Sequence, residues 1–167
     1  MVVIRFNAPV ELIGNRAIVK LPDEASAMLP TRGQVATTGT VDGQQFATVV
    51  EPDGRRGHWF DVGSHRADSV SVELEVTSDW PEPHVAEDLR EALQSVTPAS
   101  ETWANITPRA RWEWVRWVNA TRNPETRERR IMVSVDKLRK GMRRPCCFDL
   151  SSCTDPELSR SGKLIEV

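Results

Sequence analysis

The dipeptide Asp42-Gly43 lies between two alternating runs, Val35–Val41 and Gln44–Val50. Asp-Gly supplies the positive φ angles of a type I′ turn, whose twist matches two antiparallel strands. The first half of the chain is therefore read as antiparallel β-structure, and the rest of the reading hangs from that hairpin.

Further strands are expected around it. Val2–Ile13 leads through Gly14-Asn15 into Arg16–Leu21, and Pro22 ends that strand because it cannot continue the ladder. Asp23–Leu29 is read as one or two helical turns, with Asp23 and Glu24 favourable at the start. After the hairpin, Pro52-Asp53-Gly54-Arg55-Arg56-Gly57 forms a turn-rich loop before His58–Val62. In Ser69–Thr77, Val70, Val72, Leu74 and Val76 alternate with polar residues, so one face is buried and one is wet. About six short antiparallel strands with no long helix between them predict a small barrel, since closure removes sheet edges.

At Pro81-Glu82-Pro83 the period changes, and Val85, Leu89, Leu93 and Val96 fall at helical spacing. Thr97-Pro98, Thr107-Pro108 and Asn123-Pro124 each read as an N-cap followed by Pro at the first helical position. Helices are expected at about 85–95, 98–105, 108–121 and 124–141, with Gly141 as a stop. The fold class is α+β: a β-barrel over 1–79, a helical region over 80–145 and an irregular tail over 146–167.

Charge is uneven along the 167 residues. Residues 1–85 carry 7 Lys/Arg against 12 Asp/Glu, whereas residues 86–145 carry 13 against 8. The basic excess in the helical part suggests an anionic partner. No apolar run approaches the roughly 18 residues of a membrane span, and no secretory leader is expected. Three cysteines, two of them adjacent (Cys146 and Cys147), do not make a secreted disulfide framework, so a cytoplasmic setting is expected.

Trp117-Val118-Asn119-Ala120 followed by Glu125-Thr126-Arg127-Glu128-Arg129-Arg130-Ile131 resembles the helical segment of YdeI/OmpD-associated bacteriocin-protection proteins. The N-terminal half resembles the β-domain of unknown function numbered 1905, which commonly precedes that segment. The matching stretches are Phe6-Asn7-Ala8, Val19-Lys20-Leu21-Pro22, Arg32-Gly33-Gln34-Val35, Val41 to Phe46 and Asp68-Ser69-Val70. The family often has Gly-Asp where this chain has Ala67-Asp68, and a glycine-rich His loop where it has Gly54-Arg55-Arg56-Gly57-His58. The resemblance implies a small β-barrel followed by helices and no established reaction. An association with antimicrobial or stress resistance rests on the family label alone.

Three sets of residues are candidates for function. On the last helix, Arg129, Arg130, Lys137, Lys140 and Arg144 gather opposite Ile131, Val135, Leu138 and Met142, an arrangement that can meet nucleic-acid phosphates. On the preceding helix Trp114 and Trp117 fall on a core face, while Trp112 lies nearly opposite, flanked at helical spacing by Arg109 and Arg116. Trp59 and Phe60, beside His58 on the strand after the Arg55-Arg56 loop, would line a barrel mouth, aromatics supplying apolar area and arginines selecting an anionic group.

Cys146 and Cys147, next to Arg143 and Arg144, are candidates for a reactive thiol, with Cys153 nearby. Their spacing matches no structural zinc pattern, and no metal or other cofactor is expected. No Ser-His-Asp motif, HExxH, P-loop or glycine fingerprint occurs. The leading expectation is a non-enzymatic cytoplasmic protein that binds a small or peptide ligand through Arg55, Arg56, His58, Trp59 and Trp112. Nucleic-acid binding through the basic helix is the alternative, and a thiol-dependent enzyme or redox protein is the third reading.

Overall fold

The computed structural model describes residues 2–65, 67–145 and 150–166. They form two compact units. One comprises the chain up to Pro81 with the segments 150–153 and 157–166; the other runs from Glu82 through 145 and includes 154–156.

The first unit is a closed antiparallel barrel of six strands: β1 (Ile4–Ile13), β2 (Arg16–Lys20), β3 (Val35–Val41), β4 (Gln44–Pro52), β5 (His58–Asp61) and β6 (Ser69–Val76), in the order β1-β2-β5-β4-β3-β6. A short helix, α1 (Asp23–Ala27), joins β2 to β3. Asp42 and Gly43 have φ of 50° and 82°, the positive pair a type I′ turn demands. That turn sets the β3–β4 register from Val41↔Gln44 to Val35↔Val50.

Strand β1 serves two partners in succession, β6 through Ile4–Pro9 and β2 through Val10–Ile13. This stagger is how a small barrel closes. At Gly39 a Cβ would lie 1.8 Å from the carbonyl oxygen of Glu73, so β3 and β6 approach as only glycine permits. Ile4, Val19, Leu21, Val50, Phe60, Val72 and Leu74 fill the interior.

The segment expected to be an irregular tail contains a hairpin, β7 (Ser159–Arg160) and β8 (Lys163–Leu164), turned at Ser161-Gly162 with φ of 54° and 78°. Its Leu158 and Leu164 are fully buried with Ile13, Ile18, Trp59 and Cys153 in a second cluster on the barrel. Pairing alone does not hold two-residue strands; burial of these leucines does.

The second unit holds α2 (Glu87–Gln94), α3 (Thr97–Asn105), α4 (Pro108–Asn119) and α5 (Pro124–Arg139). The Thr107 hydroxyl accepts from the Ala110 N–H, and Asn123 Oδ1 accepts from the N–H groups of Glu125 and Thr126, satisfying donors that the first turn leaves open. Thr97 is itself the first residue of α3, and Val96 stands at the cap with no side-chain bond. Leu89, Leu93, Ala99, Trp114, Val118, Ile131 and Leu138 form the core. No helix among the described residues is long and apolar enough to cross a membrane.

Candidate functional site

Of the residues expected at the barrel mouth, His58 and Trp59 are buried, Trp59 in the cluster with the C-terminal hairpin, while Arg55 and Arg56 are exposed. His58 is 1% exposed and uses both ring nitrogens. Nε2 lies 3.0 Å from the Gly33 carbonyl, which can only accept, so the proton sits there; Nδ1 then accepts from Ser26 Oγ at 2.6 Å. Burial pushes the His58 pKa below its ordinary range, and the neighbouring charge of Arg32 adds to this.

Arg32 completes the cluster. It donates to Ser26 Oγ at 3.2 Å, to the carbonyls of Ser26 and Leu29 at 2.7 and 3.2 Å, and to the Arg56 carbonyl at 2.8 Å. A Ser–His pair at this distance is also how a nucleophile is activated. Here the serine is 2% exposed and the ring's other nitrogen is on a main-chain carbonyl, so the pair ties α1 and the loop before β3 to β5.

Trp59 is buried, and its indole N–H donates to the Pro52 carbonyl at 3.0 Å. The arginine loop is closed by the chain's own C-terminal segment. Arg55 donates to the Leu164 carbonyl at 2.5 Å and lies 3.5 Å from Glu166. The Leu164 N–H donates to Asp53 at 2.9 Å, and a Cβ on Gly54 would lie 2.0 Å from the Gly162 carbonyl. Arg56 has φ of 70° and an exposed side chain. Of the five expected ligand contacts, then, His58 and Trp59 are core residues, Arg55 holds the C-terminal hairpin, and Arg56 faces solvent. The fifth, Trp112, belongs to the helical unit and is half-buried, and its expected neighbour Arg116 is buried.

Of the five basic residues expected on the last helix, Arg129, Arg130 and Lys137 lie on α5, Lys140 caps it and Arg144 lies beyond its end; most are engaged within their own unit. Arg130 donates to the Trp117 carbonyl at 2.9 Å and stacks 5.5 Å from the centre of its ring; Lys137 lies 5.9 Å from the same ring. Lys140 pairs with Asp136 at 3.0 Å, and Arg144 makes a two-pronged pair with Glu113, 2.7 Å at Nε. Arg129 is exposed.

Arg127, part of the quoted motif but not among the candidate site residues, grips Asp88 through two bonds of 2.7 and 2.8 Å and donates to Asn119 Oδ1 at 2.7 Å. The Thr126–Ile131 motif is thus a fastening in this chain: Arg127 joins α5 to α2 and α4, Arg130 closes the end of α4, and Ile131 enters the core. Cys146 and Cys147 lie outside the described residues; Cys153 is buried. Among the described residues, no three His, Cys, Asp or Glu side chains come together to hold a metal ion.

The feature that the sequence reading missed is a gap in the barrel wall. Strands β4 and β5 pair only at Glu51↔Trp59 and Pro52↔His58. The chain then turns away at Gly63, whose φ is 62° and whose N–H donates to Asp61 Oδ1 at 2.6 Å. Between Gln44–Thr48 and Phe60–His65 a cleft of about 270 Å³ opens. Its floor is Val41, Phe46, Phe60 and Val62, with the Phe46 and Phe60 rings stacked at 5.6 Å. Its rim is Gln44, Gln45, Thr48, Asp61 and His65. A more open groove continues over Thr38, Gly39 and Thr40, sharing Gln45 and Phe46.

The ionisable side chains at the rim have partners within the barrel. Asp61 meets Arg16 at 2.7 Å, and His65 Nε2 lies 2.9 Å from Asp42 Oδ2. The Ser71 N–H donates to Asp42 Oδ1 at 2.8 Å; this bond, followed by that from His65, holds the Asp42 carboxyl below the usual carboxylate range. The sequence signal for the cleft is weak: the run Gln44–Val50 is somewhat longer than His58–Val62, and the structure widens that difference to a nine-residue β4 beside a four-residue β5.

Comparison with known families gives two matches in succession. Residues 6–76 match the profile of a domain of unknown function (DUF1905), and residues 82–141 match the family described as Bacteriocin-protection, YdeI or OmpD-Associated. No curated protein matches the chain.

Proposed function

We propose that this chain, in which a DUF1905 barrel precedes a YdeI/OmpD-associated helical region, is a ligand-binding protein whose site is the cleft between β4 and β5. The observation that carries this reading is the early end of the β4–β5 ladder, which leaves Phe46, stacked on the buried Phe60, at the floor of an accessible pocket. A volume of about 270 Å³ suits one ring or one branched side chain rather than a large cofactor. The rim carboxylate of Asp61 already faces Arg16 and His65 already faces Asp42, which favours an uncharged ligand. The cytoplasmic setting expected from the cysteine count is kept in this proposal.

Nucleic-acid binding has less to draw on. Four of the five basic residues it requires, Arg130, Lys137, Lys140 and Arg144, already have partners inside the helical unit. The test of the proposal is ligand-observed NMR with a library of small neutral molecules and short peptides. Binders are expected that shift the Phe46 and Phe60 ring signals and lose affinity in Phe46→Ala. A library without binders, or binders indifferent to Phe46→Ala, would contradict it.

A further inference from the structure

We infer that the ligand of this cleft is an extended peptide segment, which adds to the open side of β4 as a strand and lowers one apolar side chain onto Phe46, where that ring is backed by Phe60. This rests on the cleft being a binding site and specifies what it binds. The argument begins with register. In a two-residue hairpin the residues flanking the turn, here Val41 and Gln44, exchange the bonds that close it. Alternation then assigns the main-chain groups of Gln44, Phe46, Thr48 and Val50 to β3. Those of Gln45 and Ala47 point the other way, into the stretch where β4 has no strand beside it. Two donors and two acceptors, alternating at strand spacing, thus line one wall of the cleft.

An extended peptide is the ligand class that matches such a row. Its own N–H and C=O groups repeat with the same period, and its side chains alternate between the pocket and solvent. The rim agrees with this occupant. With Asp61 on Arg16 and His65 on Asp42, what remains beside the row is the amides of Gln44 and Gln45 and the hydroxyl of Thr48, which complement an uncharged main chain. The edge also lacks the usual defences against added strands. Gln44 to Glu51 contains no proline and no lysine, the residues by which open edges are commonly blunted.

The experiment is a titration of the full chain with capped heptapeptides of alternating threonine and valine carrying one central leucine, followed by amide hydrogen exchange. Binding is expected to protect the Gln45 and Ala47 amides. A peptide of identical side chains, N-methylated at alternate positions on its pairing edge, is expected to bind at least tenfold more weakly. Ala47→Pro, which removes a donor facing the cleft while leaving every β3 bond, is expected to weaken the unmodified peptide about tenfold, the effect of one main-chain hydrogen bond. Equal binding of the N-methylated peptide would overturn strand addition while leaving the cleft a binding site. Binding of small neutral molecules over Phe46 with no peptide binding would do the same. If nothing binds, both readings fail.

Discussion

Strand β4 has two sides, and they differ in how far each is paired. Toward β3 it is paired at seven successive positions, from Gln44 to Val50. Toward β5 it is paired at two, and both lie at its far end. The same residues therefore belong to a sealed wall and to an open one, depending on the direction of each peptide group. The difference follows from what bounds the neighbour. A type I′ turn forces β3 to follow β4 residue for residue, whereas β5 is cut off by Gly57 on one side and the Asp61–Gly63 turn on the other. An opening in a barrel wall needs no special residue, only a short strand beside a long one.

That contrast can be broken by substitution. Phe60 is fully buried and Phe46 half-buried, so Phe60→Ala should cost about 3–5 kcal/mol and Phe46→Ala about 1–2 kcal/mol in denaturant unfolding. Equal costs would mean that the cleft is not open at Phe46. The next effect is a pair of prolines. Thr48→Pro removes a donor to β3 and should cost about 1–3 kcal/mol, while Ala47→Pro should change stability by less than about 1 kcal/mol. Equal losses would place a partner on both sides.

The closed end of the β4–β5 seam carries a pH signature of its own. The pKa of His58 is lowered in the fold, so the unfolded chain takes up its proton first, near pH 6.5. The neutral ring's contribution to stability is complete above that pH and is lost as pH falls through the lowered folded value. Unfolding free energy measured between pH 8 and pH 5 should decline on the acid side of about 6.5, and His58→Gln should flatten that limb. A wild-type profile without slope there would contradict the buried neutral imidazole.

The smallest effects belong to the helical unit. Arg127→Ala, which breaks a partly exposed two-pronged pair with Asp88, should cost about 1 kcal/mol, and Arg129→Ala less than about 0.5 kcal/mol. A reversed order in thermal unfolding would show that the motif's exposed arginine, not its buried-side one, fastens the helices.

Much of this fold was legible in the sequence because its signals are local. Asp42-Gly43, the alternation in Ser69–Thr77 and the Thr-Pro and Asn-Pro pairs each act within a few residues, and the barrel and the four longer helices follow from them. Ser161-Gly162 has the same turn geometry as Asp42-Gly43, but it lacks flanking alternating runs, so the hairpin it makes was not anticipated. The site was less legible. His58 and Trp59 have the chemistry of a binding site, yet their partners, the Gly33 and Pro52 carbonyls, are main-chain atoms with no signature in the sequence. Arg32 meets three carbonyls that only the folded loop brings together. The cleft over Phe46 and Phe60 depends on where β5 stops, a tertiary outcome.

The most direct measurement is amide hydrogen exchange along β4 in the free protein, residue by residue. Alternating protection is expected, with Gln44, Phe46 and Thr48 slow through their bonds to β3 and Gln45 and Ala47 fast because they face the cleft. Uniform protection from Gln44 to Thr48 would mean that the seam is sealed, and the binding site proposed there would not exist.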